Sequence, residues 1–238
     1  MHFYSQKNIQ KLEEYLWVKK NPGIHEINLL EKVSHYNTYF QKIPGILGIA
    51  VCNSLAMNSA HKDSDIDLFI ITKNNRIWTV RILMTLLLIL LRQRKTSKHH
   101  AWKFCLSFFI TEKWLDFKNI VLENDLYLAY WVDTLRLIIN RNNIFEQFKN
   151  TNQALIQFSP KERNETSKRV SVQKNTYFCK FLTRLWDVCE KLFKFILIPK
   201  TKKSFQKLWK PFWVVITNDM LKFHVKDKRK EIRDIIFS

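Results

Sequence analysis

Two aspartates separated by one isoleucine, Asp65 and Asp67, open the run DIDLFIIT in a 238-residue chain of net charge +19. Side chains of an extended strand alternate between faces, so the two carboxylates project together from Cα atoms about 6.5 to 7 Å apart. Ile66 and Leu68 then point to the opposite face, into a core. Two carboxylates fixed on a buried strand begin a divalent-cation site, because magnesium takes one or two carboxylates and completes its shell with phosphate oxygens and water. Paired ions about 3.5 to 4 Å apart can clamp the entering and leaving oxygens of a phosphoryl transfer. Asp63 falls in the polar stretch just before and reads as a solvated turn residue. Upstream, Asn53 and Ser54 open NSLAMNSAHKDS. A hydroxyl on such a turn, beside free backbone N–H groups, suits a phosphate.

The surrounding elements must hold these residues in place. GILGIAVC, residues 45–52, is short, apolar and bounded by turn formers, which predicts a strand leading into the Asn53–Ser54 turn. DIDLFIIT, 65–72, alternates and then turns wholly apolar, as a buried strand does. KFCLSFFIT, 103–111, predicts a further central strand. Helical spacing predicts helices over 9–19, over INLLEKVSHYNTYFQK, and over 76–94. A helical pattern also extends over 116–148, with LYLAYWVDTLRLII its apolar portion, and over TYFCKFLTRLWDVCEKLFKFILI.

The order strand, Ser-containing turn, ten-residue spacer, then Asp65, Ile66, Asp67 and Leu68 resembles the nucleotidyltransferase domain of the DNA polymerase beta superfamily. KDSDIDLFIIT, including Ser64, is similar to its small stand-alone bacterial members. The resemblance covers about 26–111. It implies an α/β (α+β) fold built on a mixed sheet, with Asp65 and Asp67 as catalytic metal ligands for Mg2+ or Mn2+. It also implies nucleotide-phosphate contacts from Ser54, with Asn53 and Ser64 beside it. The activity implied is transfer of a nucleoside monophosphate from a nucleoside triphosphate to an acceptor hydroxyl, with pyrophosphate released. Two positions depart from the family pattern. Asn53 stands where a glycine is usual, and asparagine is the next most tolerant residue of a left-handed backbone. Ser107 stands where the third carboxylate is expected, and a serine is a poor base. That departure keeps a second reading open: a degenerate fold that binds nucleotide or nucleic acid through a basic tail.

Composition sets the remaining bounds. With 46% hydrophobic residues, 14% aromatics and only 3 glycines, the chain is neither disordered nor a turn-rich β fold. The apolar run 82–91 would span about 15 Å as a helix, half of a hydrocarbon core of about 30 Å. It reads as a buried helix rather than a membrane span. The start of the chain shows no basic segment followed by an apolar core, so a cytoplasmic address is expected. Four cysteines in no zinc spacing read as reduced thiols. Residues 160–238 carry 20 Lys and Arg against 8 Asp and Glu. With Trp186, Trp209, Phe212 and Trp213 among them, these suit nucleic acid or an anionic membrane surface. The expected division is a nucleotidyltransferase-like domain at 1–115, a helical extension at 116–158, a polar linker at 159–175, and a basic, aromatic, mainly helical region at 176–238.

Overall fold

The computed structural model describes residues 4–96, 99–155, 180–206, 214–223 and 227–238. Its strands are β1 (Ile46–Val51), β2 (Ile66–Thr72), β3 (Phe104–Thr111), β4 (Arg136–Asn140), β5 (Val215–Ile216) and β6 (Met220–Lys222). They form one sheet in the order β4-β1-β2-β3-β6-β5. Only β2 and β3 pair in parallel, so the sheet is mixed, as the α/β reading requires. The helices are α1 (Gln6–Tyr15), α2 (Ile24–Phe40), α3 (Asn53–Ala56), α4 (Ile77–Leu90), α5 (Leu126–Thr134), α6 (Ile144–Thr151), α7 (Lys180–Gln206) and α8 (Arg229–Phe237).

Strand alternation divides the core into two layers. Ile66, Leu68 and Ile70 of β2 pack with residues of α2 and α4, whereas Phe69 and Ile71 pack with residues of α1, α5, α6 and α8. β2 is therefore covered on both faces and almost wholly buried, which explains its continuous run of β-branched and apolar residues. At Gly48 of β1 an added Cβ would lie 2.6 Å from the Phe145 ring. The missing side chain is what lets α6 close onto the sheet.

Two ionic contacts tie distant segments to this frame. Glu190 of α7, only 2% exposed, accepts hydrogen bonds from the Trp78 and Thr79 amides and the Thr79 hydroxyl at 3.1, 2.7 and 2.7 Å. A carboxylate from one helix thus satisfies N-terminal donors of another and meets the positive end of its dipole. Arg229 of α8 is held between Asp125 at 2.7 Å and Asp227 at 2.8 Å, and also donates to the Ile120 carbonyl at 2.8 Å.

Two expectations from sequence are corrected. The helical pattern over 116–148 is instead α5, β4 and α6. Leu135, at φ −52° and ψ 127°, ends the helix, and the β-branched pair Ile138 and Ile139 fits the open edge of β1, where Ile139 pairs with Ile49. The helix expected to stop before Pro199 runs through it to Gln206. Within the described part of the C-terminal region, α7 and α8 are accompanied by β5 and β6, and Leu221 of β6 lies opposite Phe109 of β3. The polar stretch 159–175 lies outside the described residues, as do Trp209, Phe212 and Trp213. Among the described residues no helix is long and apolar enough to cross a membrane.

Candidate active site at the entry of the central strands

The site forms where β1 ends and β2 and β3 begin. The Cys52 amide donates to the Asp67 carbonyl at 3.1 Å, which fixes the turn after β1 beside the second aspartate. Asn53 follows at φ 56°, the left-handed conformation anticipated for this glycine-like position. Its side chain does more than permit the turn. Asn53 Nδ2 donates to Asp67 Oδ2 at 2.8 Å, and Asn53 Oδ1 accepts from Trp131 Nε1 at 2.8 Å. A chain of hydrogen bonds from α5 therefore orients the Asp67 carboxylate.

On the other flank, the entries to β2 and β3 are joined. The Trp102 amide donates to the Ser64 carbonyl at 2.9 Å and the Ile66 amide to the Lys103 carbonyl at 2.8 Å. In the parallel register Asp67 stands opposite Cys105, and the register then shifts before Phe69. Asp65, Asp67 and Cys105 each bring one ligand atom, all within 4.8 Å of one another. Ser107 Oγ donates to Asp67 Oδ1 at 3.4 Å. Burial first, and the Asp67 charge second, push the Cys105 thiol far above the ordinary thiol range, so it is protonated at neutral pH.

Lys95, in the connection between α4 and β3, lies 2.6 Å from Asp65 Oδ2. Burial opposes its charge, but the hydrogen bond and ion pair with Asp65 outweigh that and hold its pKa above the ordinary lysine value. Lys95 is 38% exposed at its side chain and Asp65 19%, so both open to solvent at the cleft.

The other sequence-predicted positions are more dispersed in their work. Ser54 is half-buried on α3, where its carbonyl accepts from the Ser59 amide at 2.8 Å. Ser64 Oγ accepts from the His61 amide at 2.8 Å and closes the turn before β2. Asp63 is exposed in that turn, as expected for a solvated residue. Sequence reasoning missed Lys95, Cys105 and Trp131. Strand alternation puts Cys105 on the same face as Ser107, so that residue was within reach of the pattern. Nothing distinguishes Trp131 from its apolar neighbours, and nothing marks Lys95 among the basic residues around it.

Two carboxylates and a thiol can bind a divalent ion, and carboxylate oxygens are the donors that hard cations take. Residues 34–128 match the family model described as nucleotidyltransferase domain. No curated protein and no solved structure matches the chain. The matched span contains β1, β2 and β3 together with every donor of the cluster, and its strand, turn, strand order is the one that brings Asn53 against Asp67. The span that carries the site is thus similar to nucleotidyltransferase domains.

Proposed function

We propose that the protein moves a nucleoside monophosphate from a nucleoside triphosphate to an acceptor hydroxyl. A bond forms between the acceptor oxygen and the α-phosphorus as the acceptor hydroxyl loses its proton to water, the bond from that phosphorus to the bridging oxygen of the β-phosphate breaks, and pyrophosphate leaves with the electron pair. The observation that supports this reading most is the oriented carboxylate pair at the head of β2, within the matched domain. Asp65 and Asp67 are the residues that would hold Mg2+ or Mn2+; when bound, such an ion neutralises charge on the phosphates and favours attack. Asn53 fixes the Asp67 carboxylate in advance, which limits reorganisation during the reaction. Ser54 is assigned to the nucleotide phosphates, with Asn53 and Ser64 shaping the loops on either side. Lys95 must release Asp65 when a cation binds there, and its ammonium is then free to meet phosphate oxygens. The cytoplasm, where nucleoside triphosphates are abundant, is the assigned compartment.

One observation favours a second reading. Cys105 and Ser107 occupy the strand where the third carboxylate is expected, and neither is a base at neutral pH. The fold would then bind nucleotide without turnover, with nucleic acid or an anionic surface engaged through the basic C-terminal region. Incubation with labelled nucleoside triphosphates, Mg2+ or Mn2+ and candidate acceptors separates the two. Transfer that Asp67→Asn lowers about 100-fold or more supports the enzyme. Nucleotide binding by calorimetry without transfer supports the binding module, and absence of both nucleotide and metal binding would falsify the two readings together.

A further inference from the structure

β2 carries the aspartates at the centre of the sheet, with β1 and its Ser54 turn on one side and β3 on the other. On the β3 side lies an open cleft of about 910 Å³, built largely from the connection between α4 and β3. Among the described residues, Arg92, Arg94, Lys95 and Lys103 line it with His99 and His100, against a single acid, Asp63. Lys95 links the cleft to the aspartates through its contact with Asp65.

These cations sit on an ordered wall. The Lys95 amide donates to the Phe104 carbonyl at 3.0 Å, the Phe104 amide to the Gln93 carbonyl at 2.9 Å, and Lys103 Nζ to the Arg92 carbonyl at 2.7 Å. Arg92, at φ 54°, is the left-handed residue that ends α4, and the Gln93 amide closes that turn on the Leu88 carbonyl at 2.7 Å. Arg94 Nη1 is shielded from water and has no hydrogen-bond partner. Burial lowers the pKa of that guanidinium. Like charges gathered on one concave surface repel, and a bound anion relieves the repulsion. Among the described residues no aromatic ring other than the two histidines lines the cleft, so these offer little platform for stacking bases. What it can recognise is phosphate.

We propose that this cleft seats a phosphate-bearing acceptor and presents its hydroxyl to the Asp65–Asp67 pair. The assignment rests on the transferase reading above: the nucleotide enters from the Ser54 side and the acceptor from the β3 side. The phosphate belongs either to a nucleic acid strand or to a small phosphate ester.

Binding of a fluorescently labelled, 5′-phosphorylated RNA decamer and of ribose 5-phosphate tests it, with the double variant Arg92→Glu, Lys103→Glu beside the wild type. Arg92 is exposed and Lys103 half-buried at the cleft wall, and Lys118→Glu serves as an exposed charge change outside the cleft. The expected result is binding of at least one probe, weakened about tenfold or more by the double variant and little by Lys118→Glu. Calorimetric affinity for nucleotide with Mn2+ is expected to stay within about twofold. Binding of RNA alone identifies a strand as the source of the phosphate, and binding of ribose 5-phosphate identifies a small ester. Nucleotide binding with neither probe bound overturns the cleft assignment and leaves the transferase reading standing, as does probe binding that Lys118→Glu weakens as much as the double variant. Probe binding without nucleotide binding overturns the transferase reading and, with it, the acceptor role of the cleft.

Discussion

Asn53 shows how one residue can be read correctly for its backbone and missed for its side chain. Its tolerance of a left-handed turn is legible, because asparagine follows glycine in that preference. Its hydrogen bonds to Asp67 and Trp131 depend on residues 14 and 78 positions away, and no local pattern announces them. Asn53→Gly keeps the turn and removes the amide, so transfer or metal affinity is expected to fall about 10- to 100-fold, as for other groups that orient a metal ligand. Calorimetric titration with Mn2+ checks this; an unchanged affinity would show that the carboxylate needs no such support. Cys105 supplies a second prediction at this scale. A thiol in the donor set disfavours magnesium relative to softer ions, and the metal it meets must displace its proton. Cys105→Asp is therefore expected to strengthen Mg2+ binding more than Mn2+ binding, measured by competition. Equal effects on the two ions would place Cys105 outside the metal's coordination shell.

At the scale of elements, the strands that carry chemistry were the clearest in sequence and the edge strands the least. β2 and β3 announce themselves by composition, because strands covered on both faces must be apolar throughout. β4 does not, since RLIIN continues an apolar run that also fits a helix, and only the free edge of β1 decides between them. The short β5 and β6 become strands because β3 offers them a partner. The same long-range logic governs the ionic ties. Glu190→Ala leaves buried donors at the start of α4 without an acceptor, an expected loss of about 1 to 3 kcal/mol in urea denaturation. Arg229→Ala removes the cation between two carboxylates that are 1% and 4% exposed, and although Asp227 keeps Lys222 at 3.4 Å the buried Asp125 loses its ion pair, for an expected loss of about 3 to 5 kcal/mol. Burial alone would raise the pKa of Asp227, but the hydrogen bonds and charge of Arg229 prevail and hold it below the ordinary value. Its folded pKa is depressed, so its stabilisation is complete above about pH 4 and is lost as the pH falls through the folded value. The urea midpoint is expected to have an acid-limb slope that Asp227→Asn reduces; an identical slope in the variant would contradict the assignment.

For the whole molecule, charge and chemistry occupy different parts of one sheet. The net charge of +19 reads from sequence as a property of the C-terminal end, where the excess is largest. The fold adds a second basic feature, the cleft at the entry of β3, because side chains from a short connection converge only once that strand is paired. The aspartate pair was legible because its neighbours must be buried for the strand to exist at all. The rest of the site depends on contacts closed by β1, α5 and β3 together. The most direct measurement of the central claim is anomalous diffraction from crystals soaked with a nonhydrolysable nucleoside triphosphate analogue and Mn2+. The expected result is a manganese peak at bonding distance from Asp65 and Asp67, with the triphosphate beside Ser54 and Lys95 moved off Asp65. Bound nucleotide with no metal at the aspartates and the Lys95–Asp65 pair intact would contradict it.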